Sequence, residues 1–315
     1  MISGKRKVDD GPDAGVRGLS LLSKFAGRRS GLNGGSLHKD TDSGEILIRP
    51  RKGWMPVNFK ELWAFRDLLY FLSWRDLKVK YKQTTLGVAW AILQPFLAMV
   101  VFSVLFGKLA KVPSDGIPYP IFVYAGLLPW NFFSSSLSSS GNSLVGSSNL
   151  ITKVYFPRLI IPASASLTCL VDFLIASSIL IGMMFLYHFT PNIYGIILLP
   201  ALVALILMVS VGCGLWLSAL NVEYRDFQYV IPFLVQIWMF VTPVIYPVSM
   251  LPEKYRWVLS LNPMGGIIEG FRAAVLGHQA ISWTPLVISA GAGIFIFLTG
   301  LLYFRKMERS FADVI

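Results

Sequence analysis

Residues 78–95 read KVKYKQTTLGVAWAILQP. The first five alternate basic and bulky apolar side chains: Lys78, Val79, Lys80, Tyr81 and Lys82. Charge then stops, and the 21 residues from Leu86 to Phe106 carry none. At 1.5 Å per residue that run is about 31 Å long as a helix, enough to cross a hydrocarbon core. A basic collar before an uncharged run is the pattern of a helix leaving the cytoplasmic face. Pro95 inside the run should kink the helix, with Gln94 beside it able to partner the freed backbone.

The rest of the chain continues the pattern. Of 315 residues, 54% are hydrophobic and 14% charged, well below the roughly 25% charged residues of soluble domains. The net charge is +11, yet 17 of the 28 Lys and Arg precede residue 84. Nucleic acid is one partner for such a balance and an anionic leaflet another; the apolar runs downstream favour the leaflet. Cys169 and Cys213 both fall in apolar runs without metal-ligand spacing, which points to packed or lipid-facing thiols. Residues 1–56 are rich in Gly, Ser, Lys, Arg and Asp, contain no signal-peptide core, and read as a disordered basic cytoplasmic tail.

Residues 57–85 predict an amphipathic interface helix. Asn58 and Glu61 suit a capping box, and Leu62, Phe65, Leu69 and Leu72 recur at helical spacing. Its frequent charges place it in the interface plane rather than across the bilayer. Residues 86–315 then predict an all-α polytopic domain of six spans: Leu86–Phe106, a second from Tyr119, Leu159–Tyr187, Ile193–Leu220, Phe227–Tyr246 and Leu286–Phe304. In the second span, serines from Ser134 to Ser140 and Asn142 should face other helices or water. With both termini inside, 23 Lys and Arg lie on cytoplasmic segments and five on outer ones. Between spans five and six, Pro252–Ser260 and Met264–Leu276 predict two short re-entrant or interfacial helices on the outer side, hinged at Asn262–Pro263 and Gly265–Gly266.

Chemistry is sparse. Gly107–Lys108 and Gly4–Lys5 lack the glycine loop and hydroxyl of a phosphate-binding loop, and His38, His188 and His278 form no metal-like pair. Asp172 is the one acid inside a span, where a charge costs roughly 2.5–3.5 kcal/mol. It is either a substrate contact or proton carrier, or a residue hydrogen-bonded by second-span serines, because no span carries a Lys or Arg to pair with it. Val154, Tyr155 and Phe156 are costly to expose on a cytoplasmic loop and suit a knob that docks in a partner's groove.

Six stretches together resemble a known family: RDLKVKYKQTTLGVAWAILQP at 75–95, GLLPWNFF at 126–133, NLITKVYFPRLIIP at 149–162, NVEYRDF at 221–227, PVIYP at 243–247 and LNPM at 261–264. They resemble type-2 ABC exporter permeases of the polysaccharide and polyol-phosphate branch, over about residues 58–315. The resemblance implies a homodimer of permease chains with two separate ATP-binding cassette subunits, in the bacterial cytoplasmic (inner) membrane. It implies a lipid-linked glycan of the O-antigen, capsule or teichoic acid kind as cargo, with membrane lipids around it and no nucleic acid. This chain would hold no cofactor and catalyse nothing; ATP and Mg would bind the partner. Contacts to the ATPase would fall on Arg75, Lys80, Tyr81, Asn149, Leu150, Lys153, Tyr155, Phe156, Pro157, Arg158, Glu223, Arg225 and Asp226. An outer gate would include Tyr255, Asn262, Pro263, Glu269 and Arg272. Aromatic rings and hydroxyls suit a sugar conduit, for which Trp90, Phe96, Tyr119, Tyr124, Trp130, Ser135, Ser139 and Asp172 are the candidates. Three other functions remain open: export of a small hydrophobic molecule, proton-coupled transport through Asp172, and a membrane-embedded transfer enzyme.

Overall fold

The computed structural model describes residues 63–82, 87–153, 156–191, 193–277, 280–308 and 311, all within one packing unit, Trp54–Ile315. The expected tail at 1–56, the capping box at Asn58 and Glu61, and the side chains of Val154 and Tyr155 lie outside them. The described residues form helices joined by short turns.

Helix α1, Arg66–Lys82, has Asp67 in its first turn and Lys80 and Lys82 in its last, a distribution that complements the helix dipole. Leu72 is buried, with Phe65, Leu68 and Leu69 packed around the same inner core. The opposite face exposes Trp63, Tyr70, Phe71 and Trp74. Arg66 lies over the Trp63 ring and Lys78 over Trp74, each at 5.4 Å, and this aromatic-basic face suits the headgroup layer. The helix does not stand apart from the spans. Its contacts climb along the helix Ile160–Leu186 from Ser73 beside Ser164 to Lys80 beside Asp172.

Helix α2, Val88–Phe102, stays α-helical through the buried Pro95 and passes into a π-helical segment, Ser103–Leu109. The departure from α geometry therefore comes eight residues after the proline. Helix α3, Tyr119–Gly146, is the central element and packs against α2 and five later helices. Every residue from Ile121 to Trp130 is buried, which explains a stretch apolar on all sides. The serine-rich half turns its hydroxyls to neighbours: Ser136 donates to Ser210 at 3.0 Å, and Asn221 donates to Asn142 at 3.0 Å.

A short α4, Ser148–Lys153, leads to α5, Ile160–Leu186, and α6, Ile193–Glu223. Helix α7, Phe227–Val241, is shorter than the sequence suggests. It stops where Thr242 turns its hydroxyl back to the Trp238 carbonyl at 2.7 Å, ahead of Pro243 and Pro247. Two short helices follow, α8, Glu253–Leu261, and α9, Pro263–Leu276; the last is α10, Trp283–Met307.

The Asn262–Pro263 hinge is present. The Asn262 side chain accepts from the Met264 N–H at 3.1 Å, and Pro263 occupies the first turn of α9. Gly265–Gly266 is not a hinge. Both lie inside α9, where a Cβ on Gly266 would collide with the Pro285 carbonyl. Thirteen of the 14 residues of α9 are buried, so it is an inserted helix and not a surface one. Among the described residues, four helices are long and apolar enough to cross a membrane: Val88–Leu109, Ile160–Leu186, Ile193–Glu223 and Trp283–Met307, with Phe227–Val241 a shorter apolar one.

Candidate functional site

The central site is a cavity of about 690 Å³ between α2, α3 and α5, closed at one side by the end of α1. Trp90, Phe132 and Phe173 supply ring surface. Gln94, Asn131, Ser134, Ser135 and Asp172 supply hydrogen-bonding groups. The mixture arises because α3 changes character at Phe133: its apolar turn gives Leu128 and Phe132, and its serine turn gives Ser134 and Ser135. Phe132 and Phe173 pack against each other at 5.2 Å, fixing one wall.

Lys80 and Tyr81 both reach Asp172, the lysine as an ion pair and the phenol as a hydrogen-bond donor. This corrects the expectation that Asp172 has no cationic partner and rests on second-span serines. Its partners come from α1, 91 and 92 residues away, and no periodicity in either helix reveals them. Burial first, then the hydrogen bond and charge of Asp172, hold the Tyr81 phenol above its ordinary range, so it remains a donor. Below the clasp, Ser73 donates to the Ser164 carbonyl at 3.4 Å and Thr168 to the Ser73 carbonyl at 3.5 Å.

A second cavity of about 360 Å³ lies on the other side of the clasp. Arg75, Asp76, Ser139, Asn142, Ser143, Ser147 and Thr168 give it a polar wall, and Arg75 is paired to Asp76 at 2.8 Å. Lys80 and Cys169 line both cavities, so they form the partition between them.

The other conduit candidates separate. Trp90, Ser135 and Asp172 line the larger cavity and Ser139 the smaller. Tyr124 and Trp130 are core residues; the Tyr124 hydroxyl donates to the Ala176 carbonyl at 2.9 Å. Tyr119 braces the outer turn by donating to Ile245 at 2.7 Å, and Phe96 faces outward. Sequence reasoning missed Phe132, Phe173 and Asn131; GLLPWNFF held two of them without a sign of which side faces a cavity.

On the side that carries α4, Asn149 and Lys153 are exposed and Leu150 packs on the inner core. Glu223, Arg225 and Asp226 are exposed at the next turn. Phe156 and Pro157 are buried, so Phe156 is not a free knob, and Arg158 is turned inward to Glu308. Tyr155 lies outside the described residues.

At the opposite end, a third cavity of about 370 Å³ contains Asp115, Arg256, Glu269 and Arg272. Arg272 is buried, donates to the carbonyls of Phe122 and Val244, and sits 3.9 Å from the centre of the Phe122 ring. Asn262 joins α7 to the short helices, accepting from the Trp238 indole at 3.0 Å and donating to Thr242 at 2.9 Å. Pro263 is buried beside it, whereas Tyr255 is exposed.

Comparison with known proteins agrees with this architecture. The chain is 31% identical over 259 residues to the O-antigen export system permease protein RfbA of Myxococcus xanthus, covering 81% of this chain and 98% of that protein. It is 30% identical over 253 residues to the protein of the same name from Klebsiella pneumoniae, covering 79% and 95%. The polysialic acid transport protein KpsM of Escherichia coli is 25% identical over 243 residues, covering 75% and 92%. Residues 67–276, from α1 to the end of α9, match the ABC-2 type transporter family, to which this chain belongs.

Proposed function

We propose that this chain is the permease subunit of an ATP-driven exporter that moves a lipid-linked polysaccharide out of the cytoplasm. The observation that carries the reading is the 690 Å³ cavity, where ring faces and neutral hydrogen-bonding groups alternate around α2, α3 and α5. Rings stack on sugar faces without demanding one register, and hydroxyls and amides exchange partners as a polymer slides. A small hydrophobic cargo gains nothing from Asn131, Ser134, Ser135 and Gln94, so those residues favour the glycan. The O-antigen and polysialic acid relatives support the same cargo class.

In this reading α3 and α7 are crossings too, six in all, with both termini inside an inner membrane. Two copies of the chain pair with two ATP-binding subunits, which hold ATP and Mg. The exposed residues of α4 and of 223–226 meet those subunits. Each ATP cycle displaces α4 and, through α5, the Lys80–Asp172 clasp, while α8 and α9 gate the far side. Asp172 is committed to two partners on α1, which suits a positioning role better than a proton relay.

Reconstituted vesicles test the proposal. Export of a lipid-linked glycan should require the ATP-binding subunit and hydrolysable ATP, and Trp90→Ala with Ser135→Val should slow it while ATP hydrolysis continues. Glycan movement by the permease chain alone, or export of small hydrophobic compounds in its place, would overturn the reading.

A further inference from the structure

We propose that Glu308 and Phe311 are positioning residues that tie the loop after α4 to α10, so that displacement at α4 reaches the far end of the molecule. The inference rests on the exporter reading above. Its observations lie elsewhere, in a segment after α10 that no sequence pattern singled out.

The attachment has two polar points and one apolar one. The Arg158 backbone N–H, just before α5, donates to the Glu308 carboxylate at 3.2 Å. The Arg158 guanidinium donates to the Glu308 backbone carbonyl at 2.6 Å. The first bond gives a partner to the backbone N–H one residue before the N-cap Leu159, with an anion where the helix dipole favours one. Arg305 holds the other carboxylate oxygen at 3.2 Å, so Glu308 sits between two cations. Phe311 is buried to 1% exposure, stands edge-on to Phe304 at 5.4 Å, and carries the Arg158 guanidinium 5.8 Å over its ring. Phe156, Leu144 and Leu159 share that core, so the residues on both sides of α4 pack with the end of α10.

Two polar attachments and a packed ring oppose both translation and rotation of the loop. The path continues along α10. Near its other end Ser289 accepts from the Gly266 N–H at 3.0 Å and donates to the carbonyls of Ser260 at 3.0 Å and Asn262 at 2.9 Å. Ser289 thus meets the α8–α9 junction, and α10 spans from the α4 loop to that junction as one helix. Losing the attachment should leave nucleotide chemistry in the partner intact and remove its effect on α8 and α9.

The test uses the full permease–ATPase complex in vesicles, with wild type, Glu308→Gln, Phe311→Leu and Phe311→Ala compared at equal complex abundance. The expected result is ATP hydrolysis near wild type with glycan exported per ATP reduced at least about fivefold, the lower range of coupling between distant sites. Phe311→Tyr, which keeps the ring, should restore the ratio. Hydrogen exchange supplies a readout independent of cargo: ATP should alter protection at the α8–α9 junction in wild type, and Glu308→Gln and Phe311→Leu should suppress that change. An unchanged ratio in the variants, a fall in hydrolysis in step with export, or ATP-dependent exchange identical to wild type would overturn the proposal. A wild-type complex that exports no glycan but shows the exchange pattern would refute the glycan cargo and leave the ATP-driven coupling through α10 standing.

Discussion

Asp172 changes meaning once its partners are known. A lone carboxylate in a span is a candidate for proton chemistry; a carboxylate held by Lys80 and Tyr81 fastens one helix to another. Lys80 is half-exposed, so the ion pair is screened, and its loss should cost on the order of 1–3 kcal/mol. Asp172→Asn keeps an acceptor for Tyr81 but removes the ion pair with Lys80. We expect it to lower export and, in a Cys213→Ala background, to speed modification of Cys169 by a small polar thiol reagent, because Cys169 lies in the same partition as Lys80. Unchanged labelling would show that the clasp does not guard the partition. The Tyr81 phenol has its pKa raised, so its contribution is complete below the ordinary tyrosine value of about 10 and is lost only as pH rises through the higher folded value. The melting-temperature difference between wild type and Tyr81→Phe should therefore stay constant between about pH 7 and 9. Arg272 is the buried counterpart at the other end. Arg272→Met strands two carbonyls and should destabilise the chain by roughly 3 kcal/mol, seen as an earlier thermal transition in detergent. Lysine should recover little, since a single ammonium does not reproduce the planar fork.

Among the elements, α6 and α10 come into close backbone approach. A Cβ on Gly212 would come within 2.6 Å of the Phe297 backbone, and one on Gly300 would meet the Gly212 carbonyl. Small residues let the two backbones approach, and Trp216 stacks on Tyr303 at 4.3 Å beside them. Gly300→Ala should force the helices apart at a cost of about 1–3 kcal/mol, and Gly300→Leu should lower folded yield further. Gly291, with open space around its Cβ position, is the matched control: Gly291→Ala should be tolerated. Because alanine is the better helix former, propensity alone would favour both changes, and equal losses at both sites would mean that the close approach at Gly300 does not set the result. Helix α9 makes a related point. Its apolar face and its Glu269–Arg272 face suggest a re-entrant or interfacial helix, and neighbours cover it on nearly every side.

For the whole molecule, crossing number and orientation are the properties to measure. With Cys169 and Cys213 replaced, single cysteines at Lys111 and Tyr255 should react with a membrane-impermeant thiol reagent from outside intact cells. Cysteines at Lys153 and Asp226 should react only after permeabilisation. Loss of either α3 or α7 as a crossing moves at least one of these positions to the wrong side. The three cavities occupy separate places along the chain's packing: one polar and beside α4, one aromatic and polar at α2, α3 and α5, and one charged beside α8 and α9.

The sequence by itself determined the helical class, the run after the basic collar, the helix that precedes it, the short pair of helices before the last one and the family resemblance. These follow from local quantities: charge density, helical periodicity, and the positions of proline and serine along one stretch. Only the tertiary structure decided which aromatic rings face a cavity, that Tyr124 and Trp130 are core, that Gly265 and Gly266 serve packing, and what Asp172 and Arg158 hold. The physical reason is common to all of these. A helix apolar all round carries no periodic signal for its facing direction. A contact between residues 92 or 150 positions apart depends on how whole helices pack, so neither partner's local sequence contains it.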